Sequence, residues 1–133
     1  HQSPRSSAEW EPLIERWQQD FTVIAPDTPG FGQSDPLDME RPEIGDYAEA
    51  ILAFLAAIGV ERIAAYGFHS GAVILMRAAR LRPDLFSGLV CGGYAIWTEA
   101  ERSDFGERYT PPFRPQAHGE HLAWLWGRLM EQS

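Results

Sequence analysis

The chain predicts an α/β architecture, a doubly wound and mostly parallel sheet with helices on both faces, and three observations carry that prediction. Short β-branched or apolar runs at residues 21–26, 62–66 and 88–93 alternate with longer segments whose apolar residues recur every three or four positions. The gaps between runs are long enough for helical crossovers, which parallel neighbours require. Gly67-Phe68-His69-Ser70-Gly71, set between a run and a periodic segment, has the shape of a sharp strand-to-helix turn.

The elements follow in order. Ser6-Ser7-Ala8-Glu9 has capping-box spacing, and Trp10, Leu13, Ile14 and Trp17 share a helical face, so a first helix is expected over residues 7–19. Phe21 to Pro26 reads as a strand, and the segment from Asp27 to Pro36 is too dense in Gly and Pro to extend it. Asp46 with Glu49 caps a second helix built on Tyr47, Ile51, Phe54, Leu55 and Ile58, which Gly59 ends. Arg62 to Tyr66 forms the next strand. A third helix runs through Ile74, Leu75, Ala78, Ala79 and Leu81 and stops ahead of Pro83, and Gly88 to Gly93 is a buried strand.

After Thr98 the pattern changes. Glu99-Ala100-Glu101-Arg102 is polar and helix-prone, Tyr109 to Pro115 holds three prolines, and Leu122, Leu125, Trp126, Leu129 and Met130 define a last amphipathic helix. The expected organisation is a core over residues 1–97 and a helical cap over residues 98–133, placed to roof a pocket at the carboxyl ends of the strands.

Composition narrows the partners. No run of eighteen apolar residues is present, so no membrane span is expected. A net charge of -8, from 19 acidic against 11 basic side chains, speaks against nucleic acid or an anionic membrane surface. Cys91 is the single cysteine, which excludes an internal disulfide framework and points to a reducing, cytoplasmic compartment. A start on His1-Gln2-Ser3-Pro4, without Met or a targeting signature, is expected of a piece of a longer protein.

Counting from Gly67 and Gly71 puts His69, and not Ser70, at the centre of the turn, where the bend holds a side chain in a strained and exposed pose. Together, His1-Gln2-Ser3-Pro4, the stretch Asp27-Thr28-Pro29-Gly30-Phe31-Gly32-Gln33-Ser34-Asp35, the Gly67 to Gly71 elbow and the strand ending at Gly93 resemble the α/β-hydrolase superfamily. The resemblance is strongest to a poorly characterised branch with a His-Gln start, a D-T-P-G-x-G turn and a G-x-H-[ST]-G elbow, and it covers nearly the whole chain. It implies that His1 begins the loop after the family's third strand, that the runs at 21–26, 62–66 and 88–93 are the fourth, fifth and sixth, and that the elbow follows the fifth. In the family the third strand lies between the fourth and fifth, so the resemblance implies that the missing strands are to be expected from the rest of the protein or another chain. The acid and histidine of the family's triad are expected beyond Ser133. In two places the chain departs from the pattern: Gln2 replaces the usual Gly, and His69 replaces the nucleophilic Ser, Cys or Asp.

An imidazole at the elbow suits attack on a carbonyl to give a labile acyl-imidazole, or proton abstraction, for which an unperturbed pKa of about 6.5 is well matched. The resemblance implies an oxyanion hole made of the Ser70 N–H with one from Gln2 or Ser3. Ser70 is expected to aim its hydroxyl away from the pocket, becoming a nucleophile only through a shifted elbow. Phe68, Trp97 and His121 are the side chains expected to line the substrate pocket, while Trp10, Trp17, Trp124 and Trp126 pack. Asp27 and Asp35 are expected to bond backbone locally, and Glu99 and Glu101 to start a solvated helix, although either glutamate has the place of an acid partner for an imidazole. His118 and His121, with His1 and His69, lack zinc-site spacing, so no metal and no cofactor is expected. The reading is a cofactor-independent hydrolase of a small, ester-like carbonyl compound centred on His69. A lyase or isomerase using His69 as base, and a non-catalytic ligand-binding homologue, are the alternatives.

Overall fold

The structure, a computed structural model, describes residues 1–94, 96–108 and 114–130. They fall into two compact units, residues 1–94 and 95–133. In the first, a 3-10 turn (Ser7–Trp10) leads into α1 (Glu11–Trp17), followed by α2 (Ile44–Ala57), β1 (Ile63–Phe68), α3 (Ser70–Leu81) and β2 (Phe86–Gly92). The second contains α4 (Glu99–Arg108) and α5 (Glu120–Met130). Most of the proline-bearing stretch from Tyr109, and the Leu129 side chain, lie outside the described residues. No helix among the described residues is long and apolar enough to cross a membrane.

β1 and β2 are parallel neighbours, with Ala65 opposite Leu89 and Phe68 opposite Gly92. Their connection is α3, the helical crossover that parallel pairing demands. Side chains alternate across a strand, so Tyr66 and Phe68 share one face and Gly67 belongs to the other. Trp10 covers the first face, its indole edge-on to Tyr66 at 5.1 Å and to Phe68 at 6.0 Å between ring centroids, and Trp17 meets Tyr66 at 6.2 Å. On the other face α3 approaches closely enough that a Cβ on Gly67 would meet Ala72 Cα at 2.8 Å. α2 packs on α3 through buried Ala48, Ile74 and Ala78, surrounded by Tyr47, Ile51, Leu52 and Phe86.

Three expectations are corrected. The helix expected over 7–19 breaks into a 3-10 turn and a shorter α-helix because Pro12, lacking an N–H, cannot donate to Ala8; the Glu11 N–H takes that carbonyl in an i to i+3 bond instead. The Ser6–Glu9 capping box does not form, since Ser6 makes no side-chain cap and Glu9 accepts the Gln2 N–H at 2.9 Å. Residues 21–26 form no strand: no neighbouring strand among the described residues offers their backbone a ladder.

The second helix starts earlier than expected. Its box pairs Glu43 at the N-cap with Asp46 at the third position, and the Glu43 N–H donates to Asp46 Oδ2 at 2.7 Å. Gly59, at φ 74, ends it as its position predicts. In the second unit Glu101 is the acid of a capping box, its carboxylate accepting both the N–H and the hydroxyl of Thr98 at 2.8 Å. These bonds from Thr98 pull the Glu101 carboxyl below its ordinary pKa.

Candidate active site

The elbow is built by close approach. A Cβ on Gly71 would meet the His1 carbonyl oxygen at 2.7 Å, as one on Gly67 would meet the start of α3. Only glycines let the first loop, the strand end and the helix start crowd together here. His69 lies between them at φ 55, ψ -121 and is the only non-glycine among the described residues with positive φ. Such a conformation costs about 1–3 kcal/mol, so it persists only where the surroundings over-determine it.

The restraints are visible. The His69 N–H donates to the Gly92 carbonyl at 2.8 Å, and its own carbonyl accepts from Ala72 and Val73 at 3.1 and 3.4 Å. The backbone is therefore stitched to the carboxyl end of β2 and to the first turn of α3, while the side chain is exposed. The position is the carboxyl edge of both strands, where open α/β sheets place ligands. Its imidazole lies against Phe68, 6.2 Å between centroids, and makes no hydrogen bond to the Ser70 hydroxyl.

Ser70 is tied to the first loop. The Ser3 N–H donates to Ser70 Oγ at 2.7 Å and Ser70 Oγ–H donates to Ser3 Oγ at 3.1 Å. The Gln2 N–H is also engaged, by Glu9, whose other carboxylate oxygen is 3.6 Å from Arg5 Nη1. Of the oxyanion donors expected from the sequence, the N–H of Ser70 alone has no acceptor among the described residues, as befits the first residue of a helix.

The first loop is held from its other side as well. Thr28 N–H donates to His1 Nε2 at 2.8 Å, which places the imidazole proton on Nδ1, 3.1 Å from the Gln2 carbonyl that accepts it. His1 is thereby a structural tie. Asp27 behaves likewise: its carboxylate accepts the N–H groups of Ser7 at 2.6 Å and Gln33 at 2.9 Å. Those bonds hold the Asp27 carboxyl below its usual pKa, the Ser7 amide contributing most. A cleft of about 310 Å³ beside it is lined by Ser6, Ser7, Ile14, Asp27 and Gln33 and does not include His69.

The other expected pocket residues have local partners. Phe68 packs under Trp10, and its ring fills the space where Gly93 would carry a Cβ. In the second unit, Trp97 lies on Phe105 at 4.3 Å between centroids, and His121 Nδ1 accepts the Gln116 N–H at 2.9 Å. Among the described residues no three His, Cys, Asp or Glu side chains converge as metal ligands. The residues that sequence reasoning missed are Glu9 and Thr28, which orient the first loop. Glu9 carried a misleading signal, because its spacing from Ser6 suits a helix cap.

Known proteins place this arrangement in a family. The family model described as alpha/beta hydrolase fold matches residues 1–105. The 2-(acetamidomethylene)succinate hydrolase of Mesorhizobium japonicum is 32% identical over 108 residues, covering 78% of this chain and 37% of that protein. Haloalkane dehalogenase 2 of Mycobacterium bovis is 30% identical over 97 residues, 73% of this chain and 34% of its own length. The chain thus spans about a third of the length of these curated relatives. The structure of an ancestral haloalkane dehalogenase superposes with a TM-score of 0.69 at 27% identity, covering 84% of this chain and 42% of its own. An epoxide hydrolase without ligand, at 22% identity, shares the fold with the same TM-score over 84% of this chain and 43% of its own. With the parallel strands, the crossover helix and the glycine-built elbow, these matches establish that the chain belongs to the α/β-hydrolase fold family.

Proposed function

We propose that this chain carries the elbow and first loop of a cofactor-independent hydrolase acting on a small carbonyl compound such as an ester, with His69 as the reactive group. The observation that carries the reading is His69 itself: an exposed imidazole on a strained backbone at the carboxyl edge of two parallel strands, followed immediately by an N–H with no acceptor among the described residues. The relatives add support, since one is named for hydrolysis and another for dehalogenation.

In this mechanism the lone pair of a neutral imidazole nitrogen bonds to the carbonyl carbon, and negative charge gathers on the oxygen beside the Ser70 N–H. The alcohol leaves as the carbon–oxygen bond breaks and takes, through solvent, the proton of the other ring nitrogen. Water then cleaves the acyl-imidazole, giving the acid and restoring the neutral ring. The setting is cytoplasmic, a reading that rests on the lone Cys91.

A second reading, a ligand-binding homologue without turnover, is favoured by one observation: the Ser3 N–H already has an acceptor in Ser70 Oγ. Incubating the intact protein with short-chain nitrophenyl esters separates the two. Steady turnover that His69→Ala abolishes supports hydrolysis, whereas saturable binding without release of nitrophenol supports the binder.

A further inference from the structure

We propose that the oxyanion in this protein is held by one backbone N–H and one side-chain hydroxyl, the Ser70 amide and the Ser3 O–H, with the Ser70 hydroxyl as the positioning residue that aims the second donor. The inference rests on the hydrolytic reading above and follows from counting protons between the first loop and the start of α3. Ser3 brings an N–H and an O–H, and Ser70 does the same. The Ser3 N–H is taken by Ser70 Oγ at 2.7 Å, and the Ser70 O–H by Ser3 Oγ at 3.1 Å. Two donors remain, the Ser70 N–H and the Ser3 O–H, neither with an acceptor among the described residues.

The clasp does more than consume the Ser3 amide. A hydroxyl that accepts a hydrogen bond becomes a better donor, because each bond in a chain polarises the next. The relay from Ser70 Oγ–H to Ser3 Oγ–H therefore ends on a strengthened donor beside the exposed elbow. Its geometry is fixed from three directions. Glu9 holds the Gln2 N–H at 2.9 Å, the Arg5 N–H donates to the Gln2 carbonyl at 2.9 Å, and Thr28 anchors the His1 ring at 2.8 Å. Ser3 is itself exposed, so its leftover proton is open to a ligand. The Ser3 amide is not.

The test uses the intact protein and three variants with a short-chain nitrophenyl ester. Ser3→Ala keeps the backbone N–H and removes the hydroxyl; kcat falls roughly 10-fold to 100-fold with KM within about twofold, the pattern of a donor used only in the transition state. Ser3→Thr, which keeps a hydroxyl, restores most of the rate. Ser70→Ala unfastens the clasp, lowers kcat several-fold and speeds amide hydrogen exchange at Ser3, the last being independent of turnover. An oxyanion hole made of two amides gives the opposite pattern: Ser3→Ala is silent and Ser70→Ala is faster than wild type because the Ser3 N–H is released. That result, or an unchanged exchange rate at Ser3 in Ser70→Ala, overturns the proposal while leaving the hydrolytic reading intact. Absence of turnover in the wild-type protein overturns both.

Discussion

His69 holds a backbone conformation that a residue with a Cβ does not favour, so its substitution has separable effects on stability and activity. His69→Gly relieves the positive-φ strain and is expected to stabilise the fold by about 1 kcal/mol, the relief being partly offset by the greater freedom of glycine in the unfolded chain. Its melting midpoint rises while ester turnover disappears. Asp27 is the contrasting case, a residue whose charge serves the fold. Its folded-state pKa lies below the ordinary value of about 3.9, so the stability it supplies is present above that value and is lost as pH falls through the lowered folded pKa. Asp27→Asn keeps one acceptor oxygen and loses the charge; after allowance for its partial exposure, the loss is about 1 kcal/mol at neutral pH. Chemical denaturation at pH 7 and below pH 4 checks the sign: the gap between variant and wild type narrows in acid.

Among the elements, the elbow is where local geometry is least forgiving. Gly67→Ala places a methyl group 2.8 Å from Ala72 Cα, a clash with backbone that no rotamer relieves, and is expected to destabilise by about 2–3 kcal/mol in a denaturant titration. This turn was legible in the sequence because its constraint is short-range: two glycines four residues apart, with a strand before and a helix after. The crossover helix, the parallel pairing and the helix stop ahead of Pro83 were legible for the same reason, each marked by periodicity or a breaker within a few positions. Three features were not. Residues 21–26 have strand composition, but a strand exists only where a neighbour supplies a ladder. Glu9 has the spacing of a cap, yet the first loop brings the Gln2 N–H within its reach, and a tertiary bond to a fixed amide displaces the local one. The Ser70 hydroxyl meets a residue 67 positions away, a distance at which sequence spacing carries no signal.

At the scale of the whole molecule, the described core is small. The buried apolar residues are Ala48, Leu55, Ala72, Ile74, Ala78 and Leu85, half of them alanines, and no large side chain among the described residues is fully buried. Val90 on β2 is 62% exposed and Tyr66 on β1 is 39% exposed, so the sheet contributes little burial of its own. A polypeptide of these 133 residues is therefore expected to melt gradually, with a van't Hoff enthalpy well below the calorimetric one, rather than in a sharp two-state transition. Both scales below this one meet at the elbow, where strain, a helix-start N–H without an acceptor among the described residues and an exposed ring coincide. The most direct test of that convergence is the steady-state turnover of a short-chain nitrophenyl ester by the intact protein and its His69→Ala variant. The account predicts a loss of at least about 100-fold in kcat with the fold retained; equal turnover by the two proteins would contradict it.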